Sequence, residues 1–138
     1  MGPYTEFNLR GTFHTLKAVV PYMKKQGGGN IVLIGSGAGL KPSKHQSAYA
    51  ASKAGVLGLM KAAVQEVGEY NIKINAVCPG YTPHKYLSEI KEVMEFTRRS
   101  NALGRSLPLA DFADFVVYLA QMDNTSGQTF NIDSRAIF

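Results

Sequence analysis

The chain is predicted to be an α/β protein built on a doubly wound, parallel sheet. Three observations carry this. Ile31-Val32-Leu33-Ile34 is an apolar run without alternation, as a parallel strand covered on both faces requires. A long helical stretch follows, from about Ser47 to Tyr70. Ile72 to Val77 is then a second apolar run. Strand, helix, strand in this length makes a βαβ unit, whose crossover is expected to be right-handed.

The elements follow in order. Leu9, Phe13, Leu16, Val20 and Met23 recur at helical spacing and mark one face of a first helix. Pro21 is expected to bend or shorten it, and Gly27 to Asn30 to end it. The triplet Gly27-Gly28-Gly29 precedes a strand rather than following one, so it reads as a helix-ending turn and not a phosphate cradle. Gly35 to Gln46, rich in Gly, Ser, Lys and Pro, reads as loop. The helix from Ser47 opens with small residues, including Ala48, Ala50, Ala51, Ala54, Gly55 and Gly58. A glycine costs about 1 kcal/mol inside a helix, so Gly55 and Gly58 are expected to meet a closely packed neighbour. Tyr86 to Asn101 carries Leu87, Ile90 and Met94 at helical spacing. Leu109, Phe112, Val116 and Leu119 mark another helix, and Gln128 to Ile132 a last short strand. No repeats, low-complexity segments or linkers divide the 138 residues, which make at most one domain.

Composition narrows the function classes. With 45% hydrophobic residues the chain can bury a core. The net charge is +5, but the basic residues are scattered, as in Lys24-Lys25, Lys41/Lys44 and Arg98-Arg99. No basic stripe with interleaved aromatics forms, which argues against nucleic acid as a partner. The single cysteine, Cys78, allows no internal disulfide and reads as a small buried apolar residue at a strand end. His14 and His45 have no acidic or cysteine partners at metal spacing, so no metal site is expected. No apolar run is long enough for a membrane span or signal peptide. A soluble cytoplasmic protein is the default expectation.

The chemistry concentrates on Ser36, Tyr49 and Lys53. Tyr49 and Lys53 are four residues apart and share a helix face. Ser36 lies thirteen residues before the tyrosine, just past the first apolar run. In a βαβ unit Ser36 and Pro79-Gly80 fall at the carboxyl ends of neighbouring parallel strands, the edge where open α/β sheets bind ligands. A hydroxyl, a phenol and an ammonium gathered there offer proton transfer on an alcohol or a carbonyl. A free tyrosine titrates near 10, and an adjacent ammonium favours the phenolate. Tyr49 can then serve as general base or general acid. A second Tyr-x-x-x-Lys pair, Tyr81 and Lys85, shows how weak the spacing is alone: it has Pro83 inside it and Gly68 thirteen residues upstream.

Together, Asn8-Leu9-Arg10-Gly11, Ser36, Tyr49-Ala-Ala-Ser-Lys53-Ala-Gly55, Asn75-Ala-Val-Cys-Pro79-Gly80 and Thr125-Ser126-Gly127-Gln128 resemble the short-chain dehydrogenase/reductase family in order and spacing. The resemblance spans nearly the whole chain but only the second half of the family's domain. It implies a Rossmann-like fold whose N-terminal dinucleotide-binding half is missing, making residues 1–138 a single partial domain about 100 residues short of the complete fold. It implies an NAD(P)-dependent oxidoreductase interconverting a secondary alcohol and a ketone, with NAD or NADP as cofactor. The residue that would choose between them belongs to the first half. Ser36 would hold the substrate oxygen toward Tyr49, and Lys53 would also reach the nicotinamide ribose. Asn8 would hold a water linking Lys53 to solvent, although asparagine also suits a helix N-cap. Pro79, Gly80 and Thr82 would meet the nicotinamide, with Gly80 allowing close backbone approach. Residues from about 84 to 101 would form a lid over the substrate, and the chain would form a homodimer or homotetramer.

Two departures stand out: His84 replaces the family's usual threonine, and Asn131-Ile132-Asp133-Ser134-Arg135 replaces its usual Asp-Gly-Gly. The first puts one cofactor contact in question, and the second affects a subunit-contact region. The alternative is a non-catalytic truncated fragment, or a module completed by another chain. Without the family's Gly-rich turn, the isolated chain is expected to bind NAD(P) only weakly.

Overall fold

The structure, a computed structural model, describes residues 2–82 and 91–135. A short turn of helix, α1 (Gly2–Tyr4), runs through a π-helical segment at Thr5–Arg10 into α2 (Gly11–Gln26). β1 (Gly29–Ile34) leads through a 3-10 turn at Gly37–Gly39 to α3 (Ser47–Val67), which closes in a 3-10 turn at Gly68–Tyr70. Then come β2 (Ile72–Pro79), α4 (Lys91–Ser100), α5 (Leu109–Ala120) and β3 (Thr129–Ile132). The expected helix from Tyr86 is seen from Lys91 onward. Residues 83–90, with His84, Lys85, Leu87 and Ile90, lie outside the described residues, as does the Met94 side chain.

The strands form one sheet in the order β1-β2-β3, with both pairs parallel. The register sets Ile34 opposite Val77 and Pro79 opposite Ile132, so all three strands end on the same edge. Central β2 is the most buried: Ile74, Ala76 and Val77 expose no surface. α3 packs Val56, Leu57, Met60 and Val67 into the same core as Leu33, Ile72 and Ile74. Burying each such side chain contributes about 1.5–3 kcal/mol, and this face is what holds α3 on the sheet.

α2 ends where the glycines predict. Gly27 takes the left-handed conformation at φ 86°, and the N–H of Gly28 reaches back to the Met23 carbonyl at 3.0 Å. Pro21 does not shorten the helix, which continues to Gln26. Leu9, Leu16, Val20 and Met23 join the core as their spacing implies. Phe13 does not. It stays 48% exposed, its ring edge-on to His14, because periodicity gives a helix its phase but not the extent of the surface it packs against.

Two buried polar residues explain motifs that hydrophobic patterning leaves aside. Asn75, 2% exposed within β2, donates to the Thr125 carbonyl at 2.8 Å and accepts from the Gln128 N–H at 3.0 Å. Ser126 Oγ accepts from the Ile74 N–H, and the Gly127 N–H donates to the Ile74 carbonyl. Asn75 and Thr125–Gln128 thus form a clasp that delivers the chain into β3.

The small-residue helix divides in two. A Cβ added at Gly55 would lie 2.9 Å from the Leu9 side chain, so Gly55 does admit a close neighbour. Gly58 is exposed with nothing within 4 Å, which corrects the expectation of tight packing there. Gly39, in the loop before the helix, is as close as Gly55: an added Cβ would lie 2.9 Å from the backbone of Lys53 and Ala54. Gly58→Ala should raise stability by about 0.5–1 kcal/mol through helix propensity. Gly39→Ala should lower it by about 1–3 kcal/mol through overpacking. Urea midpoints of the two variants check both signs.

Candidate active site

Ser36 leaves β1 in extended conformation (φ −162°, ψ 145°), and its Oγ accepts from the Ala38 N–H at 3.2 Å. The following Gly37–Gly39 turn lies directly on α3, where Gly39 touches the backbone beneath Lys53. No side chain separates the loop from the helix. That seating brings the turn after Ser36 against the helix that carries Tyr49 and Lys53.

Lys53 is partly buried, and its Nζ donates to the Ile34 carbonyl at 2.9 Å, the last carbonyl of β1. The ammonium is therefore fixed at the strand edge, two residues before Ser36. It also lies 6.0 Å from the centroid of the Tyr49 ring. Tyr49 occupies the first turn of α3, its ring edge-on to Tyr4 at 5.5 Å.

Asn8 sits inside the π-helical segment rather than at an N-cap. Its Nδ2 donates to Ser52 Oγ at 3.0 Å, and Ser52 Oγ donates to the Tyr49 carbonyl at 2.7 Å. Ser52 is 1% exposed. It is the residue that sequence reasoning missed. The signal was a hydroxyl placed between Tyr49 and Lys53 on a helix face lined otherwise by small apolar groups. Asn8 is thus tied to the backbone of Tyr49, and its amide nitrogen is engaged with Ser52 rather than with Lys53.

The neighbouring strand ends alongside. The Gly35 N–H donates to the Val77 carbonyl at 2.8 Å, extending the β1–β2 ladder past Ile34. Pro79 closes β2, and the Gly80 N–H reaches the Ile132 carbonyl at 2.9 Å. The close approach at Gly80 comes from within the chain: an added Cβ would lie 2.6 Å from Asp133 Oδ1. Thr82 turns its Oγ1 back to the Gly80 carbonyl at 3.4 Å. Asp133 is engaged by the Arg135 side chain.

Cys78 completes the floor. It is 1% exposed, and an added Cβ at Gly35 would lie 2.6 Å from its Sγ. Burial pushes the thiol above the usual cysteine value, opposed by the Ser36 N–H and by the charge of Lys53. Burial likewise lowers Lys53 below the usual lysine value, opposed by Cys78.

The signs of these shifts give a pH dependence. The folded thiol holds its proton to higher pH than the unfolded thiol, so its contribution is lost as pH rises past the unfolded value, about 8.5. Lys53 acts oppositely, gaining stability as pH rises through the window below the unfolded lysine value. The stability margin of the native chain over Cys78→Ala should therefore shrink from pH 7.5 to 9.5, measured by paired urea titrations. A constant margin would show that Cys78 does not carry this dependence.

Comparison with known proteins places these features. A family profile described as short chain dehydrogenase matches residues 3–94. The 3-oxoacyl-[acyl-carrier-protein] reductase FabG of Thermotoga maritima is 37% identical over 129 residues, covering 91% of this chain and 52% of that protein. D-beta-hydroxybutyrate dehydrogenase of Rhizobium meliloti is 46% identical over 74 residues, covering 54% of this chain and 29% of that protein. The solved structure of 4-hydroxyisoleucine dehydrogenase complexed with NADH superposes with a TM-score of 0.87 at 27% identity, over 95% of this chain and 56% of that one. The chain spans about half the length of FabG, with 52% of it covered. From the profile match and the shared fold, the chain belongs to the short-chain dehydrogenase family.

Proposed function

We propose that the chain is the catalytic part of an NAD(P)-dependent oxidoreductase that interconverts a secondary alcohol and a ketone. One observation carries this reading: Lys53 is held by the Ile34 carbonyl at the strand edge beside Ser36, with its ammonium 6.0 Å from the Tyr49 ring. Tyr49 is the group that moves the proton, as base toward an alcohol or acid toward a ketone. The Ser36 Oγ already accepts from Ala38, which leaves its O–H to donate to a substrate oxygen. Asn8 and Ser52 fix the turn that carries Tyr49.

The residues present suit a nicotinamide cofactor. Lys53 would hold its ribose hydroxyls, and the backbone of Pro79, Gly80 and Thr82 would line its carboxamide. Bound there, the cofactor supplies a hydride acceptor or donor. The NADH complex of 4-hydroxyisoleucine dehydrogenase supports the choice of cofactor class.

A second reading has its own observation. β1 pairs on one side only among the described residues, and Ile34 is 47% exposed. A module whose sheet is completed by another chain would leave such an edge.

In a chain extended at its N-terminus by the dinucleotide-binding half and assayed with cofactor and alcohol, Tyr49→Phe should abolish turnover and leave cofactor binding within about twofold of the unsubstituted form, since only the proton-moving hydroxyl is lost. Lys53→Ala should impair both. Near-normal kcat in Tyr49→Phe would remove the proton-transfer assignment.

We also propose self-association through α2 and α3, as a homodimer or homotetramer. The exposed aromatics Phe7, Phe13 and Tyr22 lie along the helical run that packs beside α3, and Gly58 leaves open space on α3 itself. Light scattering should find a discrete oligomer that Gly58→Leu weakens. A monomer at high concentration would refute the interface.

A further inference from the structure

Tyr49 stands in the first turn of α3, and that turn begins without a side-chain cap. Gln46 occupies the N-cap, but its Oε1 accepts from the Ser43 N–H at 3.2 Å, back in the loop. His45 before it lies in the left-handed region at φ 65°, which a residue with a Cβ adopts only at a cost. The first four N–H groups of a helix have no partner within it, so an uncapped first turn frays first. The tyrosine also has a choice of rotamer. In a helix χ1 settles near 180° or −60°, and the two settings carry the hydroxyl to separate points.

Two contacts from the N-terminal helical run supply what this turn lacks. Tyr4 sets its ring against that of Tyr49, with 5.5 Å between centroids and 71° between planes. This is the edge-to-face arrangement that aromatic pairs favour. Asn8 meets the same residue through Ser52: its Nδ2 donates to Ser52 Oγ, which donates to the Tyr49 carbonyl. One contact holds the ring and the other holds the backbone. Tyr4 and Asn8 are four residues apart, about one turn, and the π-helical geometry at Thr5–Arg10 sets the angle between them. Leu9, packed where Gly55 has no side chain, seats the same run on α3. Tyr4 is itself 52% exposed and stands outside the core, so its ring is not there to fill the interior.

We propose that Tyr4 is a positioning residue for Tyr49. Its ring selects the rotamer in which the Tyr49 ring lies beside the Lys53 ammonium. The Asn8–Ser52 bridge keeps the turn beneath that ring closed. Tyr4 acts through Tyr49 and takes no proton itself. A reacting group misplaced by about 1 Å can lose about a hundredfold in rate, so a loose ring lowers kcat rather than raising KM. The inference rests on the oxidoreductase reading and extends it from the reacting group to the group that holds it.

Two measurements test it. In the intact chain, the Hα–Hβ couplings of Tyr49 report its χ1 by NMR. One large and one small coupling, the sign of a single rotamer, are expected for the native sequence and for Tyr4→Phe, which keeps the ring. Tyr4→Ala should average the two. In the chain extended at its N-terminus by the dinucleotide-binding half, Tyr4→Ala should lower kcat for a secondary alcohol about tenfold and leave KM within about twofold. Tyr4→Phe should restore the rate. A single Tyr49 rotamer in Tyr4→Ala would overturn the inference, and so would averaged couplings with an unchanged kcat. Couplings that respond as expected in a protein whose extended form oxidises no secondary alcohol would uphold the hold on Tyr49 and remove the oxidoreductase reading.

Discussion

The candidate site depends on a contact between backbones. At Gly39 the loop after β1 lies against Lys53 and Ala54 with no room for a methyl group. At Gly35 the same loop leaves just enough space for the sulfur of Cys78. These two approaches fix where Ser36 stands relative to α3. Interiors are packed too densely to absorb an added methyl without movement. A side chain at either glycine would therefore lift the loop and widen the gap between the serine and the helix face that carries Tyr49 and Lys53. The lysine adds a hydrogen bond to the same join, from its ammonium to the last strand carbonyl. The group given a chemical role is thus also a brace between strand and helix.

Polar groups inside the fold serve position as much as stability. Asn75 and Ser52 are both buried, and both are satisfied by named partners. A buried amide or hydroxyl without partners would cost about 1–3 kcal/mol, so each enforces the arrangement that satisfies it. Asn75 fixes the entry into β3 and hence the strand that meets Gly80. Ser52 fixes Asn8 against the first turn of α3.

Much of this was legible in the sequence because it follows from periodicity and punctuation. The apolar runs gave β1 and β2, the small-residue stretch gave α3, and Gly27 gave the end of α2. The common edge for Ser36 and Pro79-Gly80 followed from parallel pairing alone. What escaped was set by distance across the fold. Nothing local distinguishes Gly55, which meets Leu9, from Gly58, which meets nothing. Nothing local shows that Gly39, in a loop, meets the helix backbone as closely as Gly55 meets Leu9. Gly80 could be read as making room for a neighbour, but the neighbour is Asp133, more than fifty residues away in the chain. Ser52 was hidden by its surroundings, a hydroxyl among alanines whose partner lies forty-four residues earlier.

The π-helical segment at Thr5–Arg10 carries a further consequence. A π ring closes over one more residue than an α ring, so this stretch holds a surplus residue within an otherwise regular helix. Deleting one residue there would let the backbone relax into plain α geometry with its ladder intact. It would also rotate everything on the N-terminal side by about 100° around the helix axis. Tyr4 would swing away from Tyr49, and Asn8 would lose its alignment with Ser52. The segment is a place where an evolutionary deletion is invisible to the fold and visible to the site.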